Sequence, residues 1–146
     1  MKSITTNSVE ETYELARDFV RDEIGKNRII CLQGDLGAGK TTFTQGVLSE
    51  LGAQKPYTSP TFNIVKEYDV DKCGIEKVYH IDVYRIGSED MESIGWHDIV
   101  KNDKALVVIE WPENIKDILP SKVNVVLCEM IDKDKHKYTF GVSKLI

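Results

Sequence analysis

At 146 residues, with 41% hydrophobic and 29% charged residues, the chain has the size and composition of one globular domain spanning residues 1–146. A net charge of −5 argues against a broad electrostatic grip on nucleic acid, and no apolar run reaches the ~18 residues of a membrane-spanning helix. Three separated cysteines outside any C-x-x-C pattern indicate free thiols. Because the N-terminus also lacks a signal-peptide core, we expect a cytoplasmic protein.

The first predicted element is a helix that begins after Ser8. Ser8 and Glu11 have the spacing of a capping box, in which a hydroxyl and a carboxylate accept exposed backbone N–H groups. Apolar residues then recur at helical intervals up to Gly25, a residue type that commonly ends helices. A short apolar run at 28–33 predicts a buried strand, and residues 42–51 predict a second helix.

The segment between that strand and that helix is the most informative part of the sequence. Residues 34–42 read Gly-Asp-Leu-Gly-Ala-Gly-Lys-Thr-Thr, which fits the phosphate-binding P-loop pattern G-x-x-x-x-G-K-[ST]. Glycines let successive backbone N–H groups point inward around phosphate oxygens, and the following helix adds partial positive charge at its N-terminus. Lys40 is then expected to contact the β- and γ-phosphates, and the Thr41 hydroxyl to bind Mg²⁺.

The rest of the chain predicts further strands and short helices. A β-hairpin is expected, with strands at 61–70 and 75–84 joined by a turn at 71–74. A short helix at 88–94, a central strand at 105–109 and one or two helical turns at 112–119 should follow. The chain should close with a pair of strands at 123–131 and 138–143. This order predicts a single α/β domain with a mixed sheet.

Two carboxylates are candidates for chemistry beside the P-loop. Glu110 ends the central apolar strand, where a buried charge is costly unless it has a partner, and P-loop proteins use an acid in this position to hold Mg²⁺. Asp82 shares one face of its strand with His80 and Tyr84, and we expect it to position metal or water. A solvated acid beyond a strand end, or the polar face of an edge strand, would give the same patterns.

Two further residues are weaker candidates. Thr61 lies in a loop after the P-loop helix, where nucleotide switches place a threonine that senses the γ-phosphate through Mg²⁺. Trp111, next to Glu110, is compatible with packing on a nucleotide or on a partner protein, and equally with a simple packing role within the fold.

Taken together, these motifs closely resemble the TsaE (YjeE) family, small bacterial P-loop ATPases required for threonylcarbamoyladenosine formation in tRNA. The resemblance covers nearly the whole chain in order. It consists of Thr-x-Ser-x-Glu-Glu-Thr at 6–12, the P-loop at 34–42, Ser-Pro-Thr-Phe at 59–62, His-x-Asp-x-Tyr-Arg at 80–85 and Ile-Glu-Trp-Pro at 109–112. The P-loop alone would be generic, whereas the combination is highly specific.

The resemblance implies a fold, ligands and partners. The fold would be a three-layer P-loop NTPase-like α/β domain, with a central mixed parallel/antiparallel sheet flanked by helices. The ligands would be ATP or ADP with Mg²⁺, hydrolysed weakly by the isolated subunit. The partners would be the TsaB and TsaD proteins, which modify tRNA; contact of tRNA with this chain would be indirect.

The resemblance also implies a role for each site residue. The phosphates would be bound by the backbone of Gly37, Ala38, Gly39, Lys40, Thr41 and Thr42, with Lys40 supplying charge. Thr41 and Glu110 would hold Mg²⁺, and Asp82 would orient metal or water. Thr61 would report the γ-phosphate, Trp111 would lie near the nucleotide, and Thr6 and Thr12 would border the adenine, with the 132–136 turn as a further neighbour.

Three other functions are compatible with a P-loop. A small-molecule kinase usually carries several arginines in a lid and acceptor site, but here Arg85 is the sole arginine after the P-loop. A GTPase would need an Asn-Lys-x-Asp motif, which the sequence lacks. A nucleotide-gated assembly module that needs no hydrolysis would use the same residues as an ATPase, so the sequence does not separate these two.

Overall fold

The computed structural model describes residues 1–23, 27–58, 64–142 and 144–145. Its helices are α1 (Val9–Glu23), α2 (Lys40–Glu50) and α3 (Trp96–Lys101), together with two 3₁₀ helices at Ser88–Ile94 and Pro112–Ile118. Its strands are β1 (Lys2–Thr6), β2 (Ile29–Gln33), β3 (Val65–Lys72), β4 (Ile75–Asp82), β5 (Ala105–Glu110), β6 (Asn124–Asp132) and β7 (Lys135–Val142).

The described strands form one mixed sheet in the order β1-β7-β6-β2-β5-β4-β3. Its centre is parallel, because β2 pairs in parallel with both β5 and β6, and β5 pairs in parallel with β4. The outer pairs β3–β4, β6–β7 and β1–β7 are antiparallel. All six residues of β5 are buried, as expected for a strand covered on both faces.

Helices cover both faces of the sheet and give the predicted three layers. On one face, Ala16 of α1 and Phe43 and Val47 of α2 pack against the sheet. On the other face, Met91 and Ile115 of the 3₁₀ helices pack with Ile99 of α3. The predicted α/β fold with a mixed sheet between helices is therefore confirmed.

Several predicted boundaries change in the structure. The P-loop helix starts at Lys40, two residues earlier than predicted, and the two short helices after the hairpin are 3₁₀ helices. The cap of α1 also differs in part: Glu11 N–H donates to the Ser8 hydroxyl at 3.1 Å, but the Glu11 carboxylate accepts from the N–H of Asn7 rather than of Ser8. Gly25, the predicted helix end, lies outside the described residues.

Two elements were missed by the sequence analysis, β1 and α3. Cys31, Cys73 and Cys128 are free thiols, as predicted. Among the described helices, none combines the length and the apolar character that crossing a bilayer requires.

Candidate functional site

The predicted P-loop connects β2 to α2 and forms one wall of a cavity of about 660 Å³. The cavity is lined by P-loop residues 36–42 together with Ile64, Asp82, Tyr84, Arg85, Ile86, Glu110, Trp111 and His136. The first N–H groups of a helix have no intrahelical acceptor, and the helix dipole makes that end partly positive. The start of α2 therefore offers this cavity an anion-binding surface.

Two glycines let the P-loop fit against its neighbours. Gly39 precedes α2 with φ 98°, a left-handed conformation that strains any residue with a Cβ. Gly34 lies against the carbonyl of Cys128 on β6, so closely that a Cβ at this position would collide with it. The loop is thus pressed against the sheet, which fixes the position of its backbone amides.

Lys40 points across the mouth of the loop. Its Nζ donates to the carbonyl oxygen of Gly34 at 2.6 Å and lies 3.5 Å from the ring centroid of Trp111, a cation–π arrangement. Burial lowers the pKa of Lys40, while the nearby Glu110 carboxylate opposes this shift. A cation held with one carbonyl and one aromatic face has donors left for phosphate oxygens.

Glu110 is brought to the P-loop by the central parallel pair. Leu32 of β2 lies opposite Glu110 of β5, and the Thr41 hydroxyl lies 3.4 Å from each carboxylate oxygen. Glu110 is 4% exposed, and Nε2 of His80 lies 2.5 Å from its Oε2. The structure therefore places the predicted metal pair side by side, with a buried imidazole behind the carboxylate.

This oxygen pair fits Mg²⁺. The ion commonly binds one or two protein oxygens and completes its octahedral shell with water and substrate phosphates. Within residues 1–23, 27–58, 64–142 and 144–145, no group of three His, Cys, Asp or Glu side chains could hold a metal by itself. A phosphate-bearing ligand beside Thr41 and Glu110 would supply the remaining oxygens.

Asp82 lies directly opposite Glu110 in the β4–β5 register and lines the same cavity. One of its oxygens accepts the N–H of Tyr84 at 3.0 Å. Burial raises the pKa of Asp82, and the neighbouring Glu110 charge adds to this effect. The two predicted carboxylates thus lie at the same end of the sheet but have different partners. Glu110 contacts the side chains of Thr41 and His80, whereas Asp82 accepts a backbone N–H two residues further along the chain.

Trp111 lies at the end of β5 in a left-handed conformation, with φ 63°. Such a backbone is uncommon for a bulky residue and is found where surrounding contacts hold it. Here the ring packs on Tyr84, with centroids 4.8 Å apart, and below the Lys40 ammonium. The structure therefore brings Trp111 into the cavity, at contact distance from the P-loop lysine.

Thr6 and Thr12, predicted to border an adenine, lie at the end of β1 and in α1. Both are 1% exposed, and their hydroxyls form a hydrogen bond of 2.7 Å. Thr12 also lines a smaller cavity of about 260 Å³, which shares Thr42 and His136 with the large one. Their contact with a base stays a prediction. Thr61 falls outside the described residues.

Three residues without a predicted role have side chains within hydrogen-bond distance of Glu110 or of a P-loop carbonyl. His80 was too ambiguous for assignment on sequence evidence, although it lies in the same His-x-Asp pattern as Asp82. His136 contacts the P-loop carbonyl of Ala38, and Tyr138 contacts that of Gly39. Both lie on β7, nearly a hundred residues away in the sequence, so no local pattern links them to the P-loop.

Comparisons with known proteins agree with this architecture. The family model described as "Threonylcarbamoyl adenosine biosynthesis protein TsaE" matches residues 6–138. The chain is 36% identical over 140 residues to the tRNA threonylcarbamoyladenosine biosynthesis protein TsaE of Aquifex aeolicus, covering 94% of this chain and 93% of the relative. It is 37% identical over 112 residues to the protein of the same name from Bacillus subtilis, covering 77% and 68%.

A solved structure is also similar. The crystal structure of YdiB from Bacillus subtilis superimposes with a TM-score of 0.71 and 28% sequence identity. The match covers 95% of this chain and 83% of that one.

Proposed function

The chain belongs to the TsaE family of threonylcarbamoyl adenosine biosynthesis proteins, and we propose that it binds and hydrolyses ATP with Mg²⁺ in support of that tRNA modification. The observation that carries this proposal is the convergence of the α2 N-terminus, the Lys40 ammonium and the Thr41–Glu110 oxygen pair on one cavity. These are the groups that phosphoryl transfer needs: anion donors, a cation and a metal position.

Nucleotide binding begins with the backbone. The N–H groups of residues 39–42 donate to phosphate oxygens, and Lys40 exchanges its bond to the Gly34 carbonyl for bonds to the β- and γ-phosphates. The exchange is favourable because a charge-assisted bond to phosphate is stronger than one to a neutral carbonyl. Trp111 covers the Lys40 side chain from the other side and limits its movement.

Glu110 and Thr41 form the metal position. They would hold Mg²⁺, which would supply positive charge to stabilise the phosphoryl group during transfer. Glu110 is held in place by His80, so the carboxylate is oriented before the ligand arrives. Thr41 adds its hydroxyl oxygen from the first turn of α2.

Asp82 orients the attacking water or the metal's water shell. Because Asp82 lies opposite Glu110, its carboxylate is on the cavity wall, where it accepts a hydrogen bond from water. Most of the catalysis is electrostatic, because Lys40 and the amides of the loop are already placed where the transferred charge develops.

The hydrolysis acts on partners rather than on a second substrate of this chain. By its family resemblance, the protein assembles with TsaB and TsaD, and the net charge of −5 favours a complex in which those partners hold the tRNA. In this account, ATP hydrolysis resets the transferase between turnovers.

The test is tRNA modification in a reaction reconstituted from this chain, TsaB, TsaD, tRNA and a separately supplied activated threonylcarbamoyl donor. With ATP we expect many turnovers per complex, and with a non-hydrolysable ATP analogue we expect assembly followed by at most one turnover. Equal multiple-turnover modification with the analogue would identify a nucleotide-gated assembly module instead. Modification that needs no nucleotide would contradict both functions.

A further inference from the structure

Strand β7 contacts the P-loop through two side chains. Nδ1 of His136 lies 3.1 Å from the carbonyl oxygen of Ala38, and the Tyr138 hydroxyl donates to the carbonyl oxygen of Gly39 at 3.0 Å. Tyr138 is fully buried, and His136 is half-buried on the wall that the two cavities share. Two successive carbonyls of the P-loop are therefore anchored to one strand.

Anchoring a carbonyl also sets the direction of the next amide. In a planar trans peptide the C=O and N–H bonds point in opposite directions. With the Ala38 carbonyl turned toward His136, the N–H of Gly39 faces away from that side chain. The bond from Tyr138 to the Gly39 carbonyl fixes the N–H of Lys40 in the same way. Both amides belong to the start of α2, where no intrahelical acceptor is available.

The contact with Tyr138 is close and requires a glycine at position 39. A Cβ on Gly39 would collide with the Tyr138 hydroxyl, so the ring and the glycine fit only as a pair. The Tyr138 ring also packs on Phe43 of α2, with centroids 5.3 Å apart. Burial raises the pKa of the Tyr138 hydroxyl, so it keeps its proton and stays a donor at neutral pH.

We propose that His136 and Tyr138 are positioning residues that set the directions of the Gly39 and Lys40 amides for phosphate binding. This inference rests on the proposed nucleotide function and assigns neither residue to the chemical step. The phosphate-bearing ligand is the one already proposed, a nucleoside di- or triphosphate. One ordinary hydrogen bond changes an equilibrium constant about three- to tenfold, which sets the size of the expected effect.

The test compares Tyr138→Phe with Tyr68→Phe. Tyr68 is a matched control, because it is also buried and its hydroxyl has no hydrogen-bond partner within the described residues. ADP affinity is measured by calorimetry, and ADP-induced amide shifts by ¹H–¹⁵N NMR. We expect Tyr138→Phe to bind ADP about three- to tenfold more weakly and to show a smaller shift at the Lys40 amide. Tyr68→Phe is expected to behave as the wild type.

A second variant reads the other amide. His136→Ala changes a half-buried position and is expected to weaken ADP binding and to reduce the shift at Gly39 rather than at Lys40. If Tyr138→Phe does not fold, His136→Ala decides the matter by the same two readouts.

The outcomes separate this inference from the proposed function. Wild-type ADP affinity together with unchanged shifts at Gly39 and Lys40 in the folded variants would overturn the positioning role alone. A wild-type protein that binds no ADP would overturn the positioning role and the proposed function together.

Discussion

Nε2 of His80 lies 2.5 Å from Oε2 of Glu110, and both side chains are almost completely buried. Glu110 in turn lies 3.4 Å from the Thr41 hydroxyl, so an imidazole, a carboxylate and a P-loop hydroxyl form one chain of contacts. If Glu110 binds a metal, the His80 imidazole is in the position of a partner that orients the carboxylate.

Removing the His80 imidazole should weaken the binding of Mg²⁺ by the enzyme. We expect His80→Ala to raise the Mg²⁺ concentration for half-maximal ATPase activity about tenfold or more, because partners of metal-binding side chains contribute on this scale. His80→Gln, which returns a donor near the same position, should recover part of the loss. His97→Ala on the exposed face of α3 is the control. An unchanged Mg²⁺ requirement in His80→Ala would contradict the positioning of Glu110.

Replacing Glu110 and replacing Asp82 should have different effects on the kinetics of ATP hydrolysis. Glu110→Gln is expected to raise the Mg²⁺ requirement, since it alters a side chain in contact with both Thr41 and His80. Asp82→Asn should leave the Mg²⁺ requirement close to wild type and lower kcat about a hundredfold, as for loss of a group that orients water. Steady-state kinetics over a Mg²⁺ titration distinguish them. Identical defects in both variants would remove the division of roles.

Glu50 should make stability depend on pH. The Arg21 guanidinium, through a two-pronged contact with both bonds at 3.1 Å, holds the pKa of Glu50 below its usual range, and Lys72 adds to this. A carboxyl whose pKa is lower in the folded state stabilises fully above its unfolded pKa and loses this contribution as pH falls through the folded value.

We therefore expect Glu50→Gln to unfold at lower urea concentration than wild type at pH 7, and the difference to close toward about pH 3. A Glu92→Gln variant, altered at an exposed position, should have the urea midpoint of the wild type at both pH values. A urea midpoint difference for Glu50→Gln that stays constant across this range would show that the charge of Glu50 is not the cause.

Much of the fold follows from short sequence segments. The P-loop is specified by its own residues. Strand β5 is specified by a continuous apolar run, because a strand with one solvent-exposed face would alternate apolar and polar residues. By contrast, β1 contains one apolar residue, Ile4, and becomes a strand through its antiparallel pairing with β7. The short helix α3 begins at Trp96, directly after Gly95, which adopts a left-handed conformation between the preceding 3₁₀ helix and α3.

The site divides in the same way. Lys40 and Thr41 could be assigned from spacing, and Glu110 from a charge at the end of a buried strand. The closing strand pair was predicted, but the contacts of His136 and Tyr138 with the loop also require β6 to pair with β2, and no sequence pattern specified that pairing. Long-range pairing therefore accounts for what the motifs left out.

The measurement that tests the central claim most directly is phosphate release from ATP by the purified chain, with and without Mg²⁺. Lys40→Ala and the exposed Lys101→Ala are measured beside the wild type. The account predicts slow, Mg²⁺-dependent release by wild type and Lys101→Ala, and a loss of about a hundredfold or more in Lys40→Ala. Equal release by Lys40→Ala and wild type, or release that does not need Mg²⁺, would contradict it.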